Sequence, residues 1–186
     1  MRCRVLPRRR FLKTTAVAVA AGPALSCGGS RSPWRFFSEA EAAIVNAVCE
    51  RLIPADQDPG AAWAGVVKYI DRQLTRHFKK HQTDYRAGIA ALDRTARSLH
   101  GVPFLELSAP RQDEVLASLE RDEAPAGVWT GIRPRQFFEL VLAHTMQGFY
   151  GSPRHGGNRD AVSWRMLGVP DPPLRGRLQY EFKPRS

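Results

Sequence analysis

Five stretches of this chain repeat apolar residues every three or four positions, and each is bracketed by residues that start or stop a helix. That spacing is the period of an amphipathic α-helix, and it leaves little room for a sheet. Ile44, Val45, Val48, Cys49 and Leu52 fall on one face of the first stretch. Ser38 and Glu41 ahead of it have capping-box spacing, Pro54 ends it, and "PADQDPGAA" follows as a turn-rich loop. A second helix is predicted over residues 62–79, with Val66, Ile70, Leu74 and Phe78 inward. A third is predicted over residues 83–100, with Tyr85, Ile89, Leu92, Ala96 and Leu99 inward and Gly101 as its stop. Ser108 and Pro110 start a fourth, which uses Val115, Leu116 and Leu119. Pro134 starts a fifth through "RQFFELVLAHTMQGF", the most apolar of all. The expected fold class is all-α, a single compact, orthogonal or bundle-like domain of about five main helices without an internal repeat. The 186 residues suffice for one domain with a core, whereas two would be cramped.

The amino terminus reads as an address. "PRRRFLK" precedes "TTAVAVAAGPALSC", so a basic region leads into a short apolar run and a small-residue cleavage zone. That run is about a dozen residues, short of the ~20 that span a bilayer. Arg8, Arg9, Phe11, Leu12 and Lys13 resemble the twin-arginine export consensus, whose pathway carries folded cargo. Cys27 closes "ALSC", which resembles a lipobox with Ala24 in place of the usual leucine. Two readings stay open: a lipid on Cys27, or an ordinary peptidase cut at the same bond. The expected organisation is a twin-arginine signal over 1–26, a linker over 27–35, a helical domain over 36–170 and an extended tail over 171–186. In that tail Leu178, Tyr180 and Phe182 alternate with Gln179, Glu181 and Lys183, a short strand pattern without an evident partner strand.

The net charge of +10 comes largely from the address. Its first 26 residues hold six basic side chains and no acidic one, leaving 22 basic against 18 acidic, or +4, for the rest. A modest, interspersed charge of that size argues against nucleic acid as a partner. Cys3 lies in the signal and Cys27 at the cleavage zone, so Cys49 stands without a disulfide partner and reads as a buried thiol.

The stretch "GFYGSPRHGGNRDAVSWRMLGVP", residues 148–170, is the most distinctive. Gly151 and Gly156 match the opening of a phosphate loop, but Gly157 and Asn158 stand where lysine and Ser/Thr are needed. No GxGxxG follows a strand and no CxxCH occurs, which excludes a self-held Rossmann nucleotide and a c-type haem. His77 and His81 are four apart on a helix, a metal-capable spacing, yet Lys79 and Lys80 lie between them and no third ligand is near. His144 sits in the apolar fifth helix as a hydrogen-bonded core or interface histidine. Asp56 and Asp58 read as turn formers. No residue is therefore expected to be catalytic, to bind a cofactor or to hold a metal. Physically the stretch is a shaped loop: Gly156 and Gly157 permit unusual backbone, and Asn158 can cap a short helix over "RDAVSWRML" that Gly168 ends. Phe149, Tyr150 and Trp164 beside Pro153, Arg154 and Arg159 suit a protein interface. The same aromatics would also serve to close the core.

Two blocks of the chain, "FFSEAEAAIVNAVCERLIPADQDPGAAWAGVVKYID" and "FFELVLAHTMQGFYGSPRHGGNRDAVSWRMLGVP", resemble the gluconate 2-dehydrogenase subunit 3 family, over roughly residues 36–170. The proline, "GGN" and tryptophan of the second block carry most of the specificity. His155 departs from the pattern, which usually has an aromatic residue there. The resemblance implies a non-catalytic small subunit that binds no cofactor itself. It implies a large catalytic partner of the glucose–methanol–choline (GMC) type that holds FAD and oxidises a sugar, sugar acid or alcohol. It further implies that the small subunit assists folding and twin-arginine export of that partner through the translocase, and that some complexes add a multihaem cytochrome c. Phe149, Tyr150, Pro153, Arg154, Gly156, Gly157, Asn158, Arg159 and Trp164 are then the expected partner contacts. The expected location is the periplasmic face of the inner membrane, with Cys27 as a lipid anchor. Two other readings remain: a stand-alone periplasmic lipoprotein that binds a small ligand, and an independent small oxidoreductase.

Overall fold

The computed structural model describes residues 32–169; the export motif, Cys27 and the tail pattern lie outside them. The described residues form seven α-helices and short 3-10 turns, with no strand among them. The first helix, α1 (Glu39–Leu52), begins with the expected reciprocal cap. Ser38 Oγ accepts from the Glu41 amide at 3.2 Å, and the Glu41 carboxylate accepts from the Ser38 amide at 2.8 Å. Ala42, Val45, Val48 and Cys49 are its buried face.

The second expected helix is divided. α2 (Ala61–Ala64) and α3 (Val66–Leu74) are separated by Gly65 at φ 74°, a left-handed conformation. Apolar spacing does not register one such residue, because Val66, Ile70 and Leu74 keep their helical step inside α3 and are fully buried. α3 ends at Thr75, and a 3-10 turn, Lys79–His81, leads into α4 (Gln82–His100). There Tyr85, Ile89, Leu92 and Ala96 face inward as expected, and Gly101 at φ 79° closes the helix. Leu99 does not; it is 45% exposed at the end of the helix. α5 (Ala109–Glu120) and α6 (Pro134–Tyr150) each carry proline in the first turn, where the missing amide costs nothing.

α6 is the hub. It packs against α3 and α5 most extensively, and also against α1, α2, α4 and the short α7 (Val162–Met166). Its apolar sequence follows from being surrounded. Close approach to α4 requires Gly88, since a Cβ there would meet the Phe137 ring at 2.1 Å. Phe37, Phe104, Tyr85 and Phe149 fill the interior among aliphatic side chains. Among the described residues no helix is long and apolar enough to cross a membrane.

The segment before α1 is fixed by a buried carboxylate. Asp71 on α3 is 2% exposed. Its Oδ1 accepts from the amides of Phe36 and Phe37 at 2.9 and 3.0 Å, and its Oδ2 from that of Arg35 at 2.8 Å. The folded body therefore reaches back into the stretch expected as linker.

Candidate partner-binding loop

α6 stops at Gly151, whose amide still donates to Gln147 O at 2.9 Å. A 3-10 turn, Pro153–His155, follows, and Gly156 at φ 109° reverses the chain. Asn158, Asp160 and Ala161 are also at positive φ, at 47°, 52° and 54°. Three non-glycine residues in that region within four positions are costly, on the order of 1 kcal/mol each, so other contacts must hold them.

Those contacts centre on Asn158, which is fully buried. Its Nδ2 donates to Gly151 O at 2.8 Å, and its Oδ1 accepts from the Ser163 amide at 3.0 Å. One side chain thus ties the end of α6 to the first turn of α7. The expected role as an ordinary cap of a helix over 159–167 is corrected. Asn158 is itself left-handed, a 3-10 turn, Arg159–Ala161, intervenes, and the cap reaches α7 from five residues upstream. Glycines let the loop lie directly on the helices. A Cβ on Gly157 would come within 2.2 Å of Gly148 O, and one on Gly148 within 2.9 Å of the Tyr69 ring. Gly156 packs against Arg72, whose guanidinium would lie 2.6 Å from an added Cβ.

The structure divides the aromatic cluster between core and surface. Phe149 is fully buried and meets the Tyr150 ring edge to face at 5.0 Å. Tyr150 is 39% exposed. Trp164 is half-buried and donates from Nε1 to Tyr150 O at 2.9 Å. Pro153 is half-buried beside exposed Arg154, whose Nε donates to His155 Nε2 at 3.2 Å. Arg159 is exposed and sits 5.3 Å over the ring of Trp63, which is itself 40% exposed. Trp63 escaped the sequence reading; its only signal was an apolar residue off the inward face of its helix. The outer surface thus presents Tyr150, Pro153, Arg154, Arg159, Trp164 and Trp63, while Phe149, Gly157 and Asn158 support it from beneath.

Residues 39–170 match the family described as gluconate 2-dehydrogenase subunit 3. The chain belongs to that family. The matched region takes in α1 to α7 and the whole loop. No curated protein and no solved structure matches the chain.

Elsewhere in this subunit 3 family member His144, Tyr85 and Cys49 are titratable groups buried in the core. His144 is 5% exposed, stacks on Phe78 at 3.8 Å, and its Nδ1 meets the Tyr85 hydroxyl at 2.9 Å. Burial, with His81 nearby, lowers its pKa to about 4, so the ring is neutral at physiological pH. Burial likewise pushes the Tyr85 hydroxyl well up. Cys49 is buried against Thr145 Oγ1 at 3.2 Å, and burial raises its thiol to about 12, which keeps it protonated and unreactive. His81 engages Asp84 through Nδ1 at 2.9 Å. Among the described residues no group of three His, Cys, Asp or Glu side chains could hold a metal ion.

Proposed function

We propose that this chain is a non-catalytic accessory subunit of a periplasmic or membrane-associated FAD-dependent dehydrogenase of the GMC type, and that it assists folding and twin-arginine export of the catalytic subunit. The observation that carries the reading is the family match over residues 39–170, which ends on the loop that displays aromatic and arginine side chains. Membership in a family described as a dehydrogenase subunit implies a catalytic partner. The loop supports the same view chemically: it is pinned from below by Asn158 and two glycines, so its aromatics are ordered before binding. Pre-ordered aromatics beside arginine are typical anchors of protein interfaces, because little entropy is lost on docking. Oxidation of a sugar, sugar acid or related alcohol belongs to the partner and its flavin. A multihaem cytochrome c as electron acceptor, and a lipid on Cys27 holding the complex at the periplasmic face, complete the proposal.

Purification of the tagged chain from its native membranes tests it. A large subunit with a flavin spectrum should accompany the chain, while the chain alone should be colourless and inactive toward sugars with artificial acceptors. Trp164→Ala should weaken the complex by about 2 kcal/mol, roughly thirtyfold. Its melting temperature is measured beside the affinity, because Trp164 also donates to the Tyr150 carbonyl. Full affinity of the folded variant would remove Trp164 from the contact. Purification without any oxidoreductase would overturn the reading as a whole.

A further inference from the structure

A cleft of about 410 Å³ lies beside the loop, lined by Pro33, Trp34, Arg35, Lys68, Asp71 and Arg72. Its charge is unbalanced. The carboxylate of Asp71 is committed to three backbone amides, those of Arg35, Phe36 and Phe37. Among the described residues Arg35, Lys68 and Arg72 form no ion pair, whereas Arg51, Arg97 and Arg135 are matched with Asp113, Asp93 and Glu139. All three cleft cations are exposed. They surround one buried carboxylate, so the cleft is net positive. One side of it is anchored, because Asp71 clamps the backbone at Arg35, Phe36 and Phe37 to α3. Trp34 is half-buried and held at Nε1 by Glu39 at 3.3 Å, which gives the cleft an aromatic wall.

We infer that this cleft binds an acidic peptide segment of the catalytic subunit, one that carries aspartate or glutamate side chains. The inference rests on the accessory-subunit reading above. Three cations spaced around a concave wall match carboxylates spaced along an extended chain, and the Trp34 ring suits their methylene stems. The cleft is partly open to solvent, which admits side chains of a docked segment. It is also continuous with the loop: Arg72 lines the cleft and packs against Gly156. Arg76, just beyond the end of α3, is also exposed. A planar membrane would reach the rim cations but would leave the concave wall and Trp34 unfilled.

The test uses the complex isolated from native membranes, with the wild-type chain and with an Arg35→Glu, Lys68→Glu variant. Both substituted side chains are exposed, so the variant should melt with the wild type; an Arg35→Gln, Lys68→Gln variant removes the charges without reversing them. Charge reversal should weaken assembly by about tenfold or more and flatten its dependence on salt. A synthetic polyglutamate peptide should compete with assembly of the wild-type chain. Vesicles containing phosphatidylglycerol should bind both chains alike. Equal affinity and equal salt dependence in the variants would overturn the inference while leaving the accessory-subunit reading intact. So would vesicle binding that disappears with the cleft charges while assembly is unchanged, which would assign the cleft to anionic lipid. Failure of the wild-type chain to bring down any large subunit would remove the accessory-subunit reading and the inference with it.

Discussion

Gly157 lies so close to Gly148 that a Cβ on the former would come within 2.2 Å of the latter's carbonyl oxygen. The loop backbone therefore rests on α6 with nothing between, and α6 in turn approaches Tyr69 and Val66 of α3 at Gly148. The neighbour that an added methyl would strike is backbone, which cannot rotate away. Gly157→Ala should lower stability by about 1–3 kcal/mol, and it should do so by lifting the loop. Thermal melting checks the first effect. Weaker capture of the large subunit by the fraction still folded checks the second. A variant with wild-type melting would show that the loop has room to move off α6.

Asn158 joins two ends of that loop through both halves of its amide. Asn158→Ala would leave Gly151 O and the Ser163 amide without this partner and would place alanine at φ 47°. Loss of about 2–3 kcal/mol is expected from the buried Ser163 amide and the part-buried Gly151 carbonyl left unmet. Asn158→Asp keeps the acceptor for Ser163 but sets a carboxylate oxygen against the Gly151 carbonyl. It should be no better than alanine. Denaturant midpoints of the three proteins, compared at neutral pH, give the order.

Much of this was readable in the sequence, and the boundary is physical. The Ser38–Glu41 cap, α4, α5 and α6 rest on local signals: a cap three residues wide, apolar spacing, proline in a first turn. Gly65 hid within a continuous apolar pattern, because its left-handed turn leaves the inward positions of α3 in step. Asp71 was invisible for a different reason. It looks like an ordinary polar position, and the amides it holds are 34 to 36 residues away. The loop could be recognised as shaped from its glycines and Asn158, but not the route of its hydrogen bonds. The basic cleft gathers residues from two separate segments, so no window of sequence contains it.

The buried imidazole of His144 makes stability depend on pH. Its pKa falls from an ordinary 6.5 to about 4 in the folded chain, because burial and nearby His81 disfavour the charged form. Between those values the unfolded chain binds a proton that the folded chain does not, so acidification favours unfolding. The contribution is complete above about pH 6.5 and is lost as pH falls toward 4. His144→Gln, which cannot titrate, should have a shallower acid limb in this window even though it is less stable throughout. Denaturant midpoints across the window measure the slope. Equal slopes for both proteins would assign the acid sensitivity to other groups.

The proposed export role is tested at the paired arginines, which lie outside the described residues. Arg8→Lys with Arg9→Lys should strand both this chain and its catalytic partner in the cytoplasm. FAD is acquired in the cytoplasm, so a flavin-loaded subunit crosses folded, and a partner without its own signal crosses only while bound to a chain that has one. The large subunit should then be found flavin-loaded in the cytoplasmic fraction, with dehydrogenase activity absent from the periplasmic face. Fractionation with immunoblots of both subunits reads the outcome. A second strain carrying Gly157→Ala with an intact signal separates escort from docking. There this chain should still be exported, while export of the large subunit should fall in proportion to the lost affinity. Normal periplasmic activity in the paired-lysine strain would show that the catalytic subunit travels on its own, and this chain would then join it only after both have crossed.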